Sequence, residues 1–159
     1  MTYRLYPTPA QASRLFHYFR IGRNLYNHSL AQRIQHYKET GKTLSYFDQQ
    51  NDLTILRSVS QVLADIPVWI ERDALVRLDR AYANFFRRIK EGKEKPGFPR
   101  FKGERRWNSF GIHDPGKVIR GENRIRISGV PDLIVARNVR EPQGKIRQQR
   151  IVHRAGKWF

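Results

Sequence analysis

Asp73-Ala74-Leu75-Val76-Arg77-Leu78-Asp79-Arg80-Ala81-Tyr82-Ala83-Asn84-Phe85-Phe86-Arg87-Arg88-Ile89-Lys90, followed by Lys95-Pro96-Gly97-Phe98-Pro99-Arg100-Phe101-Lys102 and Arg105-Arg106-Trp107, is the stretch on which the fold turns. Leu75, Leu78, Tyr82, Phe85 and Ile89 recur at three- and four-residue steps, which places them on one stripe of a helix and predicts that Phe85 is a buried aromatic. Arg77, Arg80, Asn84, Arg87 and Arg88 fall on the opposite arc. A charged back is ordinary for a surface helix, but here the back is nearly all positive, broken mainly by Asp79. Beyond Lys90 the helix cannot continue through Pro96, Gly97 and Pro99. There Phe98, Phe101 and Trp107 interleave with Lys95, Arg100, Lys102, Arg105 and Arg106, a pairing that suits bases and phosphates together.

The remaining composition agrees. The chain has 159 residues, 39% hydrophobic and 12% aromatic, enough to build real cores. It carries 31 Lys and Arg against 14 Asp and Glu, a net charge of +17, and so repels itself unless a polyanion neutralises it. Nucleic acid is the expected partner. No apolar run approaches the roughly 20 residues that span a bilayer, and no signal-peptide core follows Met1, so no membrane partner and a cytoplasmic location are expected. The absence of Cys excludes disulfides, Cys-containing zinc sites and a thiol nucleophile.

Tyr3-Arg4-Leu5-Tyr6 predicts a short strand. Thr8, Pro9 and Gln11 form a capping-box signal for a helix expected to end at Gly22, with Leu15, Phe19, Ala12 and Phe16 facing inward. A second helix should bury Tyr26, Leu30, Ile34 and Tyr37 and close at Gly41, so that two helices joined at a glycine resemble a helix-turn-helix. Ser45 and Asp48 open a third helix carrying Phe47, Leu53, Ile55 and Leu56, and the fourth starts at Asp65 or Pro67 and runs to about Lys90. After Arg106, short runs at 124–127, 133–135, 145–147, 150–153 and 157–159, separated by turn residues, predict a small antiparallel sheet or barrel with a hairpin at Ala155-Gly156. His113-Asp114 before Pro115-Gly116 reads as a loop. The last strand has barely begun at Phe159, so the chain is expected to be the front part of something longer.

No reaction centre emerges. Glu71, Asp73 and Asp79 lie among arginines and suit salt bridges, and the five histidines lack metal-site spacing. No Gly-rich phosphate cradle or nucleophile elbow is present.

Arg4-Leu5-Tyr6-Pro7-Thr8, Leu25-Tyr26-Asn27, Tyr37-Lys38-Glu39-Thr40-Gly41-Lys42, Leu78-Asp79-Arg80-Ala81-Tyr82 with Asn84-Phe85-Phe86-Arg87-Arg88, Gly97-Phe98-Pro99-Arg100-Phe101-Lys102 and Arg106-Trp107-Asn108-Ser109-Phe110 together resemble the N-terminal half of TnpB, the OrfB-type protein of bacterial insertion sequences. Family members are RNA-guided DNA nucleases, often labelled transposases. The resemblance implies an α+β architecture in which a four-helix recognition unit, Thr8 to Lys90 (8–90), is inserted into a small antiparallel β-barrel, the wedge domain, made of Met1 to Pro7 (1–7) and Glu91 to Phe159 (91–159). It implies two partners, a structured guide RNA and double-stranded target DNA, with base pairing reading the target beyond a short duplex motif. Positions matching family residues at that motif are Tyr46, Gln50, Val68, Trp69, Arg72 and Gly111, with Arg72, Val68 and Gly111 replacing polar family groups. The basic residues assigned to RNA are Arg77, Arg80, Arg87, Arg88, Lys95, Arg100, Lys102, Arg105 and Arg106.

In the family the last strand leads into a RuvC-like nuclease domain that holds magnesium through three acidic residues and carries a zinc ribbon. Neither is represented in these residues, so the chain alone is expected to take no cofactor and to cleave nothing, and three explanations stay open: a fragment, the product of a truncated gene, or a chain whose partner is a separately supplied nuclease half. Two other readings compete: a helix-turn-helix DNA-binding protein or repressor acting without RNA, and a ribosomal-type RNA-packing protein.

Overall fold

The computed structural model describes residues 1–116, 118–121, 123–140 and 143–159. Strand β1 (Arg4–Tyr6) is followed by helices α1 (Pro9–Thr40), α2 (Tyr46–Val59), α3 (Gln61–Ala64) and α4 (Val68–Lys90), a 3-10 turn at Glu104–Arg106, and strands β2 (Ser109–His113), β3 (Arg124–Ile125), β4 (Ile134–Arg137), β5 (Gln148–Arg154) and β6 (Lys157–Trp158). The class is α+β, with four α-helices and an antiparallel sheet.

Both capping boxes form. Thr8 and Gln11 exchange hydrogen bonds at the start of α1, and Ser45 and Asp48 do so at α2. Gly41 ends α1 in the left-handed conformation, its N–H bonded to the Tyr37 carbonyl. The expected break at Gly22 does not occur, and the helix-turn-helix there is replaced by one continuous helix of 32 residues. Gly22 lies on the buried stripe of α1 because the Trp107 indole rests against it; a Cβ would stand 3.1 Å from Nε1. An interior glycine costs about 1 kcal/mol of helix propensity, and the packed indole offsets it.

Two arginines stitch the helices together. Arg33 of α1 donates to Gln49 of α2 at 2.7 Å, pairs with Asp79 of α4 at 3.4 Å and lies over the Tyr82 ring. Arg57 of α2 donates to the carbonyls of Leu63, Ala64 and Ile66 and to Glu71 at 3.0 Å, satisfying the orphan acceptors at the end of α3. The expected helix 3 is only partly inward-facing: Leu53 is buried, whereas Phe47 (71% exposed), Ile55 and Leu56 face solvent.

The sheet order is β2-β5-β6-β1-β4-β3. β1 sits between β6 and β4, with Leu5 opposite both Trp158 and Ala136, so the strand that precedes the helices is completed by strands that follow them. The expected barrel is not closed: the six-stranded sheet is open, with β2 and β3 at its edges. At the β2 edge the Asp73 carboxylate of α4 lies close against Gly111, where a Cβ would stand 3.1 Å from its oxygen. β2 runs through 109–113 despite the glycine and the Asp114-Pro115-Gly116 that follow, so His113 ends a strand instead of lying in a loop. The run expected at 150–153 forms within β5, whereas 145–147 is irregular chain leading into it.

Helices and sheet share one hydrophobic core. Phe110 of β2 packs on Trp69 at 4.6 Å and Phe19 at 5.4 Å between ring centroids, and Phe19 stacks on Trp158. Leu75 and Leu78 of α4 enter this core, but Tyr82 and Phe85 are only partly buried and Ile89 is half exposed. Phe85 is therefore not a core aromatic, because the second half of α4 extends past the sheet.

Candidate nucleic-acid interface

The segment after α4 folds back along it. Phe98 meets Tyr82 and Phe85 edge-on at 5.6 and 5.2 Å, and Arg88 donates to the Pro96 carbonyl at 2.9 Å. Asn27 of α1 grips the Lys102 backbone through both its N–H, at 2.8 Å, and its carbonyl, at 3.0 Å. This fixed arm carries Lys95 and Arg100 outward, with Phe98 and Phe101 about half exposed beside them.

The nine cations predicted as one RNA-binding set divide into two groups. Arg80, Arg87, Arg88, Lys95, Arg100, Arg105 and Arg106 are exposed. Arg87 pairs with Glu91 at 2.8 Å, where both partners are solvated and the pair contributes about 0.5 kcal/mol. Arg77 and Lys102 are engaged by the fold. Lys102 places its ammonium 5.7 Å from the centroid of the Tyr26 ring. Arg77 stands 2.9 Å from Asp73 in an ion pair, not an aligned hydrogen bond, lies 4.6 Å over the Trp107 ring and donates to Ser109. Burial pushes the Asp73 carboxyl above its ordinary value and Arg77 below its own, and each charge opposes the other's shift.

The duplex-motif residues are spread over three elements. Val68 and Arg72 are exposed on the first turns of α4; Trp69, between them, turns inward onto Tyr18 and Phe110. Gly111 is buried beneath Asp73, and a Cβ there would come to 3.1 Å from the carboxylate. These four are neighbours through Phe110 and Asp73. Tyr46 and Gln50 occupy successive turns of α2, both half-buried, and no hydrogen bond or ring contact among the described residues joins them to the other four.

The sequence reading missed a second basic surface. A broad groove runs between the solvent side of α1 and the β5–β6 hairpin, lined by five arginines, Arg14, Arg20, Arg23, Arg105 and Arg154, with Glu104 as the acidic side chain. Arg14, His17 and Arg20 recur at three-residue steps, a signal obscured by assigning Phe16 to the buried face. Phe16 is 46% exposed and is held against Trp158 and His153 at 4.8 and 4.9 Å. Burial lowers the His17 pKa, and the charges of Arg20 and Arg14 lower it further.

Two comparisons bear on this arrangement. Residues 1–42 match the family model of a "Helix-turn-helix domain" of OrfB proteins from insertion sequences of the IS605 group. Nearly the whole chain, 99% of it, aligns at 25% identity with the "Putative RNA-guided DNA endonuclease InsQ" of Escherichia coli (strain K12), over 38% of that protein's length. The chain is thus similar to OrfB-type insertion-sequence proteins of the TnpB kind. The matched span 1–42 holds β1 and the single helix α1, not two helices joined by a turn. The chain spans well under half the length of the curated relative it matches. Among the described residues no three His, Cys, Asp or Glu side chains group as they would around a metal ion, and no helix is long and apolar enough to cross a membrane.

Proposed function

We propose that the chain binds a structured guide RNA and reads a short duplex motif as the N-terminal part of a TnpB-like RNA-guided DNA endonuclease. The observation that carries this reading is the row of exposed cations on the outer half of α4 and its returning arm, interleaved with the fixed rings of Phe98 and Phe101. Solvated cations in surplus over carboxylates neutralise phosphates, and half-exposed rings accept unpaired bases. In this reading 8–90 is the recognition unit, and 1–7 with 91–159 the wedge. Arg72, exposed one turn after Val68 on α4, reaches base edges, with Tyr46 and Gln50 flanking the duplex from α2 and Trp69 and Gly111 beneath it in the fold.

The test is titration of the chain with the structured transcript of its own element's end. Arg87→Ala with Arg88→Ala should weaken RNA binding broadly and leave folding intact, while Arg72→Ala should change which duplex motif is preferred. Affinity should fall on the order of 10³-fold between about 50 and 200 mM salt, since six or more phosphates are neutralised. Salt-indifferent binding would remove the basic face from the mechanism.

The family model's helix-turn-helix description favours a second reading, a DNA-binding protein acting without RNA. It predicts that nucleic acid co-purifying with the chain is digested by DNase and spared by RNase.

A further inference from the structure

The groove between α1 and the β5–β6 hairpin has a composition unlike a small-molecule site. At about 1410 Å³ it exceeds the roughly 300–1,000 Å³ of pockets that enclose compact ligands, and it is open along its length. Arginines stand on both walls: Arg14, Arg20 and Arg23 on α1, Arg105 and Arg154 opposite. Glu104 answers only one of them, Arg23, at 3.3 Å. Arg154 enters no ion pair or hydrogen bond among the described residues, Arg14 reaches the Tyr18 hydroxyl but meets no acidic side chain among them, and the Arg20 guanidinium meets the ring nitrogen of His17 at 3.0 Å. Surplus guanidinium charge concentrated in a concavity calls for a polyanion.

Phe16 identifies which kind. Its ring is 46% exposed in the groove the arginines line, and packing against Trp158 and His153 restrains it, which lowers the ordering cost of stacking on it. Only an unstacked base can lie on such a ring, because a duplex covers the faces of its own bases. We propose that this groove holds an unpaired nucleic-acid strand, with its phosphates on Arg14, Arg20 and Arg154 and a base stacked on Phe16. The site is distinct from the outer half of α4 and does not rest on the α4 reading.

The experiment uses the full chain, stripped of co-purifying nucleic acid, and labelled oligouridylate, oligothymidylate and blunt DNA duplex probes of about twelve units, within the 4–16 nucleotides typical of single-strand sites. Arg14→Ala/Arg20→Ala/Arg154→Ala should weaken single-strand binding at least tenfold and make the salt slope shallower by about 2, at about 0.7 per phosphate released. Phe16→Leu, which keeps an apolar cover over Trp158, should cost about tenfold for the strands and little for the duplex. An unchanged melting temperature shows that both variants fold. Loss on both strands assigns the site to the shared backbone chemistry, and loss on one names the source. Arg87→Ala/Arg88→Ala should leave the short strands within about twofold, so the two surfaces can fail separately. Wild-type strand affinity in the triple variant or in Phe16→Leu, or equal loss of duplex and strand, overturns the proposal.

Discussion

Arg77 and Arg87 both lie on the basic side of α4, yet the fold uses them differently. Arg87 is solvated and answers Glu91 one turn on. Arg77 is the counter-charge of a carboxylate that is itself 95% enclosed and holds the edge of β2. Removing it strands a buried charge, so Arg77→Ala should lower unfolding free energy by about 3 kcal/mol in urea titration, whereas Arg87→Ala should change it by less than about 0.5 kcal/mol. Equal effects would show that Asp73 does not depend on Arg77. The sequence showed both arginines on one arc but not that Asp73 and Trp107 meet on only one of them, because that depends on where β2 docks.

α1 was expected as two helices because a glycine at the midpoint of an amphipathic run is a common stop. The residues around it continue the buried stripe without interruption from Leu15 to Leu30, and this stripe was legible. What could not be seen was Trp107, far along the chain, filling the space beside Gly22. Gly22→Leu should therefore destabilise the protein by about 2 kcal/mol in thermal or urea unfolding through overpacking against the indole, although leucine is the better helix former. A stabilised variant would mean that the indole moves freely. α4 shows the converse error. Its apolar stripe is regular from Leu75 to Ile89, but the core ends near Leu78 and the remainder is covered only by the arm carrying Phe98. Phe85→Ala should cost about 1–2 kcal/mol, below the roughly 3–5 kcal/mol of a fully buried aromatic, and should speed amide exchange in the arm ahead of the rest of the molecule. Uniform acceleration would place Phe85 in the global core after all.

For the whole molecule, the net charge of +17 on 159 residues sets the dominant long-range term. Cations crowd two surfaces, the outer half of α4 with its arm and the α1 groove, and repel within each. Melting temperature should rise by several degrees as salt increases from about 20 to 300 mM, because the screening length shrinks below the spacing of these charges, and a polyanion such as heparin should have the same effect at far lower ionic strength. A melting temperature indifferent to both would mean that the charges are already paired.

Properties carried by neighbours in sequence were readable without coordinates: both capping boxes, the Gly41 terminus, the α+β division, the hairpin at Ala155-Gly156 and the positive face of α4. These depend on spacing and local hydrogen bonding, which the order of residues specifies directly. Properties that need distant segments to meet were not. The continuity of α1 depends on Trp107, the docking of α4 on β2 on Asp73 lying against Gly111, and the α1 groove on a hairpin from the far end of the chain coming to rest against Phe16. Periodicity shows which face of a helix is apolar, but the extent of the core that covers it is set by packing across the whole chain.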